Sequence, residues 1–178
     1  MKKINKKASL IFTLAIILIT TISIAQEKQN YKQGFRLGIG LNVGLPTNEP
    51  YDFNLGADAR LQYDLSKKYS LTFTTGFSNM FVSGKDNDLG YIPAKVGFKA
   101  FVFKDQLYVM GEVGAAFAVT NDYDETSLLL SPSFGYATKR IDISLRYDHF
   151  NDFPTEKNGS VNNGLGLISL RLAYGFKL

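Results

Sequence analysis

The chain has 178 residues, no cysteine, no tryptophan, 16 glycines, 14 phenylalanines and 10 tyrosines, and a formal charge of +4. Without cysteine it cannot be a disulfide scaffold. The positive balance is no nucleic-acid footprint either: residues 1–25 hold four lysines and no acid, so the remainder is neutral.

The first element is that basic, apolar leader. "MKKINKK" is followed by the apolar run "ASLIFTLAIILITTISIA", with small Ser23 and Ala25 placed before Gln26. A charged start, an apolar middle and a small-x-small ending predict a secretory signal peptide cut between Ala25 and Gln26. The expected domains are therefore a cleaved leader at 1–25, a short periplasmic segment at 26–33 and one folded unit at 34–178.

Every later element alternates with period two, which would scatter apolar groups all round a helix but lines up one face of a strand. In chain order the predicted strands are "GFRLGIGLNVGL", "DFNLGADARLQYDL", "YSLTFTTGF", "YIPAKVGFKAFV", "LYVMGEVGAAFAV", "LLLSPSFGYA", "IDISLRYDHF" and "ISLRLAYGFKL". In the last, Ile168, Leu170, Leu172, Tyr174, Phe176 and Leu178 oppose Ser169, Arg171, Ala173, Gly175 and Lys177. Pro93 and Pro132 fall inside two of these runs. Proline cannot donate to a ladder, so each is expected near a strand end or a bulge.

The links between strands alternate long and short: "PTNEPY", "SKK", "VSGKDNDLG", "FKDQ", "TNDYDETS", "TKR" and "NDFPTEKNGSVNNG". One rim of tight turns and one of longer loops is the layout of an up-and-down transmembrane barrel. The fold class expected is an all-β, eight-stranded antiparallel transmembrane barrel with a polar, side-chain-filled interior.

Orientation follows from the two residue sets. The apolar set is crowded with Leu, Ile, Val and Phe; the other is mostly Gly, Ser, Thr and Asn with a few charges. Eight strands leave an interior only wide enough for side chains, which suits the small polar set. In a soluble lipocalin-like carrier, the alternative, the apolar set would instead line a cavity. Aromatic residues near strand ends predict two interfacial girdles. Phe35, Tyr63, Tyr69, Tyr136, Tyr174 and Phe176 would sit towards the turn rim, and Phe53, Phe77, Phe117 and Tyr147 towards the loop rim. In hydrocarbon an unpaired backbone group costs several kcal/mol, so the last strand is expected to close on the first.

The stretches "YIPAKVGFKAF", "LYVMGEVGAAF", "IDISLRYDHF" and "LRLAYGFKL" resemble the outer membrane protein β-barrel domain family, PorT-like proteins and OmpA–OmpX-type barrels included. The resemblance implies an outer-membrane location in a Gram-negative cell. It also implies recognition by the barrel assembly machinery through an aromatic-alternating C-terminus, here Tyr174, Phe176 and Leu178. The PorT-like members suggest an accessory role in a secretion system.

The inward charges form the one polar cluster. Arg36, Arg60, Lys95, Lys99, Arg146 and Arg171 are set against Asp58, Glu112 and Asp148, with Asp64, Asp142 and Lys177 nearer the turn rim. Charges in a dry lumen must pair, so Glu112 is expected to be ringed by at least two basic residues. Gly38, Gly40 and Gly44 would give inward charges room. A structural plug is expected rather than an ion path.

His149 is the sole histidine. A lipid-modifying enzyme would need a Ser or Asp beside it, and the chain reads His149-Phe150-Asn151 where lipid A deacylases carry His-x-Ser. No enzyme activity, metal or cofactor is expected. The acidic loops with Asp86 and Asp88, and with Asp122, Asp124 and Glu125, match no defined calcium loop. The reading is an outer-membrane barrel with a structural or adhesive surface role, its partners being membrane lipid, the assembly machinery and a surface or secretion-system protein.

Overall fold

The computed structural model describes residues 33–82, 88–103, 105–120, 125–157 and 160–178. The leader, its cut at Ala25, and Asp86, Asp122 and Asp124 lie outside these. Eight strands run in order: β1 (Gly34–Pro46), β2 (Phe53–Asp64), β3 (Tyr69–Phe81), β4 (Leu89–Phe103), β5 (Leu107–Ala118), β6 (Thr126–Ala137), β7 (Ile141–Lys157) and β8 (Ser160–Lys177). Each pairs antiparallel with its neighbours, and the sheet closes as a barrel. The seam between β1 and β8 runs from Arg36↔Lys177 to Pro46↔Leu167. Beyond it the Leu178 amide donates to the Phe35 carbonyl at 3.0 Å.

Side chains follow the alternation. The Leu-and-Phe set faces outwards; Leu41 is 67% exposed and Leu172 56%. The opposite set fills the interior, with Arg171 and Lys99 each 1% exposed. An apolar exterior around a closed, polar-centred cylinder belongs in a bilayer, because only there does exposing so much Leu and Phe carry no hydration penalty. The Leu-and-Phe set faces away from the lumen, which removes the lipocalin-like carrier.

Tight turns join β2–β3, β4–β5 and β6–β7. Ser66 Oγ accepts from the Lys68 and Tyr69 amides, each at 3.1 Å, and Thr138 Oγ1 accepts from the Ile141 amide at 3.0 Å. Small hydroxyl residues make such turns by standing in for backbone acceptors.

Four expectations change. First, both prolines lie well inside their strands. The β3–β4 ladder passes from Thr75↔Ala94 to Ser78↔Tyr91, skipping the partner of Pro93. The β6–β7 ladder likewise passes from Leu130↔His149 to Ser133↔Arg146, skipping Pro132. Each proline keeps its register on the other side, with Ala116 and Gly111. A missing N–H thus opens one ladder locally without ending the strand.

Second, the long link after β7 is strand: Pro154↔Asn163 to Lys157↔Ser160 continue the hairpin beyond Phe150↔Leu165. A register shift between Phe150 and Pro154 marks a bulge at its base. Ser127 Oγ accepts from the Asp152 amide at 2.9 Å, and Asp152 accepts from the Leu128 amide at 3.2 Å.

Third, the interior is polar only in its middle and turn-side part. At the loop end it is packed with Met80, Leu89, Tyr91, Leu129, Phe150, Phe153, Leu165 and Leu167. Phe150 and Phe153 stack at 4.9 Å between centroids, and Tyr91 meets both edge-on at 5.1 and 5.8 Å. The bulge is what turns Phe153 inwards, since simple alternation from Phe150 would send it out.

Fourth, the glycines of β1 act differently from one another. A Cβ on Gly40 would come within 3.0 Å of the Arg171 guanidinium. One on Gly44 would meet the Ile168 carbonyl at 2.8 Å and Leu167 at 2.9 Å, and Gly38 has only ordinary contacts. Of these three, only Gly40 makes room for a charge.

Candidate functional site: the ion network of the lumen

Four acids and five bases of the interior form one continuous set of ion pairs. Glu112 on β5 receives Arg60 Nη2 from β2 at 3.4 Å and Lys95 Nζ from β4 at 3.6 Å. Lys95 also reaches Asp148 on β7 at 3.4 Å. Asp148 takes Arg146 Nε at 2.7 Å, and Arg146 Nη1 lies 3.9 Å from Asp58 on β2. Asp58 is gripped by Arg171 of β8, Nε at 2.9 Å and Nη2 at 2.5 Å. Arg171 Nη1 lies 3.8 Å from Asp142, which also takes Lys99 Nζ at 2.7 Å. The set ties β2, β4, β5, β7 and β8 across the barrel.

Neutral groups fill several of the remaining valences, while the buried Arg60 Nη1 has no hydrogen-bond partner among the described residues. Thr74 Oγ1 donates to Glu112 at 2.6 Å and accepts from Arg60 Nε at 3.0 Å. Asn42 Nδ2 donates to Asp58 at 2.9 Å, and the Tyr108 hydroxyl donates to Asp142 at 2.7 Å. Ser131 Oγ donates to Asp148. Lys99 Nζ stands 3.7 Å from the centre of the Tyr108 ring, a cation–π contact. A Cβ on Gly97 would approach Glu112 Cγ to 2.5 Å, so the glycine is what admits that side chain. Sequence reasoning did not single out Thr74, Ser131, Tyr108, Asn42 or Gly97. Their inward parity was the available signal.

Nearer the turn rim stands the pair Arg36 Nε to Asp64 at 2.8 Å, with Gln62 and Ser70 donating to the same carboxylate at 2.6 and 2.8 Å; Gln62 also accepts from Lys99 Nζ at 3.4 Å and so links the pair to the central set. Among the sequence candidates, Arg36 thus joins the central network only through Asp64 and Gln62, and Asp142 is placed within it.

The network meets the apolar plug at a cavity of about 10 Å³ bordered by Asn42, Tyr91, Lys95, Leu129, Arg146 and Asp148. That is room for about one water. Among the described residues, the geometry pairs charges and fills space.

The remaining candidates lie on the outside. At the turn side Phe35 and Tyr63 meet at 4.8 Å, Tyr69 and Phe98 at 5.6 Å, and Tyr174 and Phe176 at 4.9 Å between centroids. Tyr136 is exposed there too. At the loop side Phe53 stacks on Phe81 at 6.2 Å, and Phe77, Phe117 and Tyr147 are exposed. Phe81, Phe98 and Phe134 are further outward aromatics. His149 points outwards, opposite Leu130 and Gly166, and stacks on Tyr147 at 6.5 Å. Asp88 is engaged by Asn79 Nδ2 at 3.1 Å and the Val82 amide at 3.0 Å. Among the described residues no three His, Cys, Asp or Glu side chains gather as a metal site.

No protein-family profile matches the chain, and no curated protein matches it in sequence. Solved structures do. The N-terminal β-barrel domain of OprF from Pseudomonas aeruginosa is similar with a TM-score of 0.55 at 10% identity, over 82% of this chain and 100% of that one. A de novo designed transmembrane β-barrel gives 0.52 at 15% identity, over 83% and 100%. Ail, the attachment invasion locus protein of Yersinia pestis, gives 0.50 at 15%, over 81% and 97%. At such identities the shared property is the fold: this chain is a small eight-stranded barrel of the outer-membrane type.

Proposed function

We propose that the protein is a non-catalytic outer-membrane barrel that works at its loop rim, as a structural and adhesive surface protein. The observation that carries this reading is the double filling of the lumen: ion pairs in the middle, an apolar plug above. A cylinder so packed offers solutes no path, which leaves the surface for contact with partners. The β7–β8 hairpin, built from the two longest strands, is the part best placed to touch one. The attachment invasion locus protein shares the fold, which supports an adhesive reading. Export would use the leader cut between Ala25 and Gln26, and insertion would use the barrel assembly machinery reading Tyr174, Phe176 and Leu178.

The test is a heterologous Gram-negative host displaying the chain, assayed for attachment to cells and matrix proteins. Replacing residues 154–163 by a two-residue turn is expected to abolish attachment while the barrel keeps its heat-dependent gel shift. Large, stable single-channel steps in planar bilayers would overturn the filled-lumen reading.

A further inference from the structure

The outer wall is not uniform. Over β4 to β8 it carries a furrow of about 800 Å³, within the ~300–1,000 Å³ typical of small-molecule sites. Its floor is Gly111, paired with Pro132, and its sides include Phe98, Phe134, Leu145 and Tyr147. The floor is open at its glycine. A Cβ built on Gly111 meets nothing within 4 Å. Beside it, the β6–β7 ladder skips Pro132 without changing register, so the backbone pairing is interrupted along the furrow floor. Some other outward rows hold bulky neighbours, such as Leu41 beside Leu172.

We infer that this furrow is a binding site for one acyl chain of a membrane lipid, held more firmly than the lipid around the rest of the barrel. The occupant follows from where the furrow lies, because it is continuous with the surface that touches hydrocarbon. An empty furrow would forfeit dispersion contacts on every side, so liquid chains must enter it. A chain lying there touches protein on three sides, against one side on a flat wall. The lining is overwhelmingly apolar, so the site selects a hydrocarbon tail and not a headgroup. This inference rests on the transmembrane orientation and is independent of the adhesive role.

The experiment reconstitutes the full chain in phosphatidylcholine vesicles containing a phospholipid with a diazirine near its acyl end. After illumination, adducts are mapped by peptide mass spectrometry. Expected is a several-fold excess of adducts on peptides around Phe98–Gly111 and Pro132–Tyr147 over those from β1 to β3. Gly111→Leu, which fills the floor, should remove that excess, and Ala57→Leu on the far wall should not. Even labelling of the whole wall in the unmodified protein would overturn the inference without any variant. An excess that survives Gly111→Leu in a folded barrel would do the same. Failure to insert, seen as loss of the heat-dependent gel shift, would instead count against the transmembrane orientation.

Discussion

The two parts of the lumen solve one packing problem with opposite chemistry. In the middle, every charge depends on at least one other: Asp58 alone serves Arg171, Arg146 and Asn42. At the loop end, Phe150, Phe153, Leu165 and Leu167 contribute by area and shape, without obligatory partners. Errors in the first part strand a charge; errors in the second leave a hole. The penalties should therefore differ in both size and additivity.

The largest effect is expected from Asp58→Ala, which leaves Arg171 buried without its fork. Removing one partner of a buried pair costs about 3–5 kcal/mol, readable as a lowered midpoint in urea unfolding from vesicles. Leu165→Ala in the plug should cost less, about 2–3 kcal/mol, near the lower end for a buried leucine. If the plug variant proves the more damaging, the contrast between the two parts is wrong.

A double variant sharpens the contrast. Asp58→Ala combined with Arg171→Met removes both ends of the pair. It should recover part of the single-variant loss, with a coupling of about 1–3 kcal/mol in a double-mutant cycle. Strict additivity would show that the pair is not a unit. Gly97→Ala should cost about 1–2 kcal/mol by crowding Glu112, in the same assay. The smallest effect is expected from Arg36→Ala. Its side chain is 39% exposed, and a solvated pair of this kind contributes roughly 0.2–1 kcal/mol.

Period-two alternation made the strands and their inward and outward faces legible before any coordinates. It worked best where the two faces differ in kind, as in "ISLRLAYGFKL". The plug was hidden because alternation vanishes when both faces are apolar. In "LLL" at 128–130, Leu129 looks no different from its outward neighbours. The same holds for Leu165 and Leu167 beside Ile168. Phe153 was hidden for another reason, since a bulge re-aims it and a bulge leaves no mark in hydropathy. The β7–β8 extension was read as loop because Asp152, Pro154, Asn162 and Gly164 are turn formers; hairpin pairing overrides that preference. The acids and bases of the central network could be collected on one face from parity alone. Which acid meets which base depends on register across the barrel, and no single strand carries that information.

The seam between β1 and β8 has a consequence for the order of events during biogenesis. Contacts that join the two most distant strands are the slowest kind to form. Until they do, β1 and β8 each present a long row of open donors and acceptors, the feature by which sheets recruit strangers. A chain stalled before its final strand would be a template for aggregation, so safe delivery demands that both edges stay shielded until they find each other.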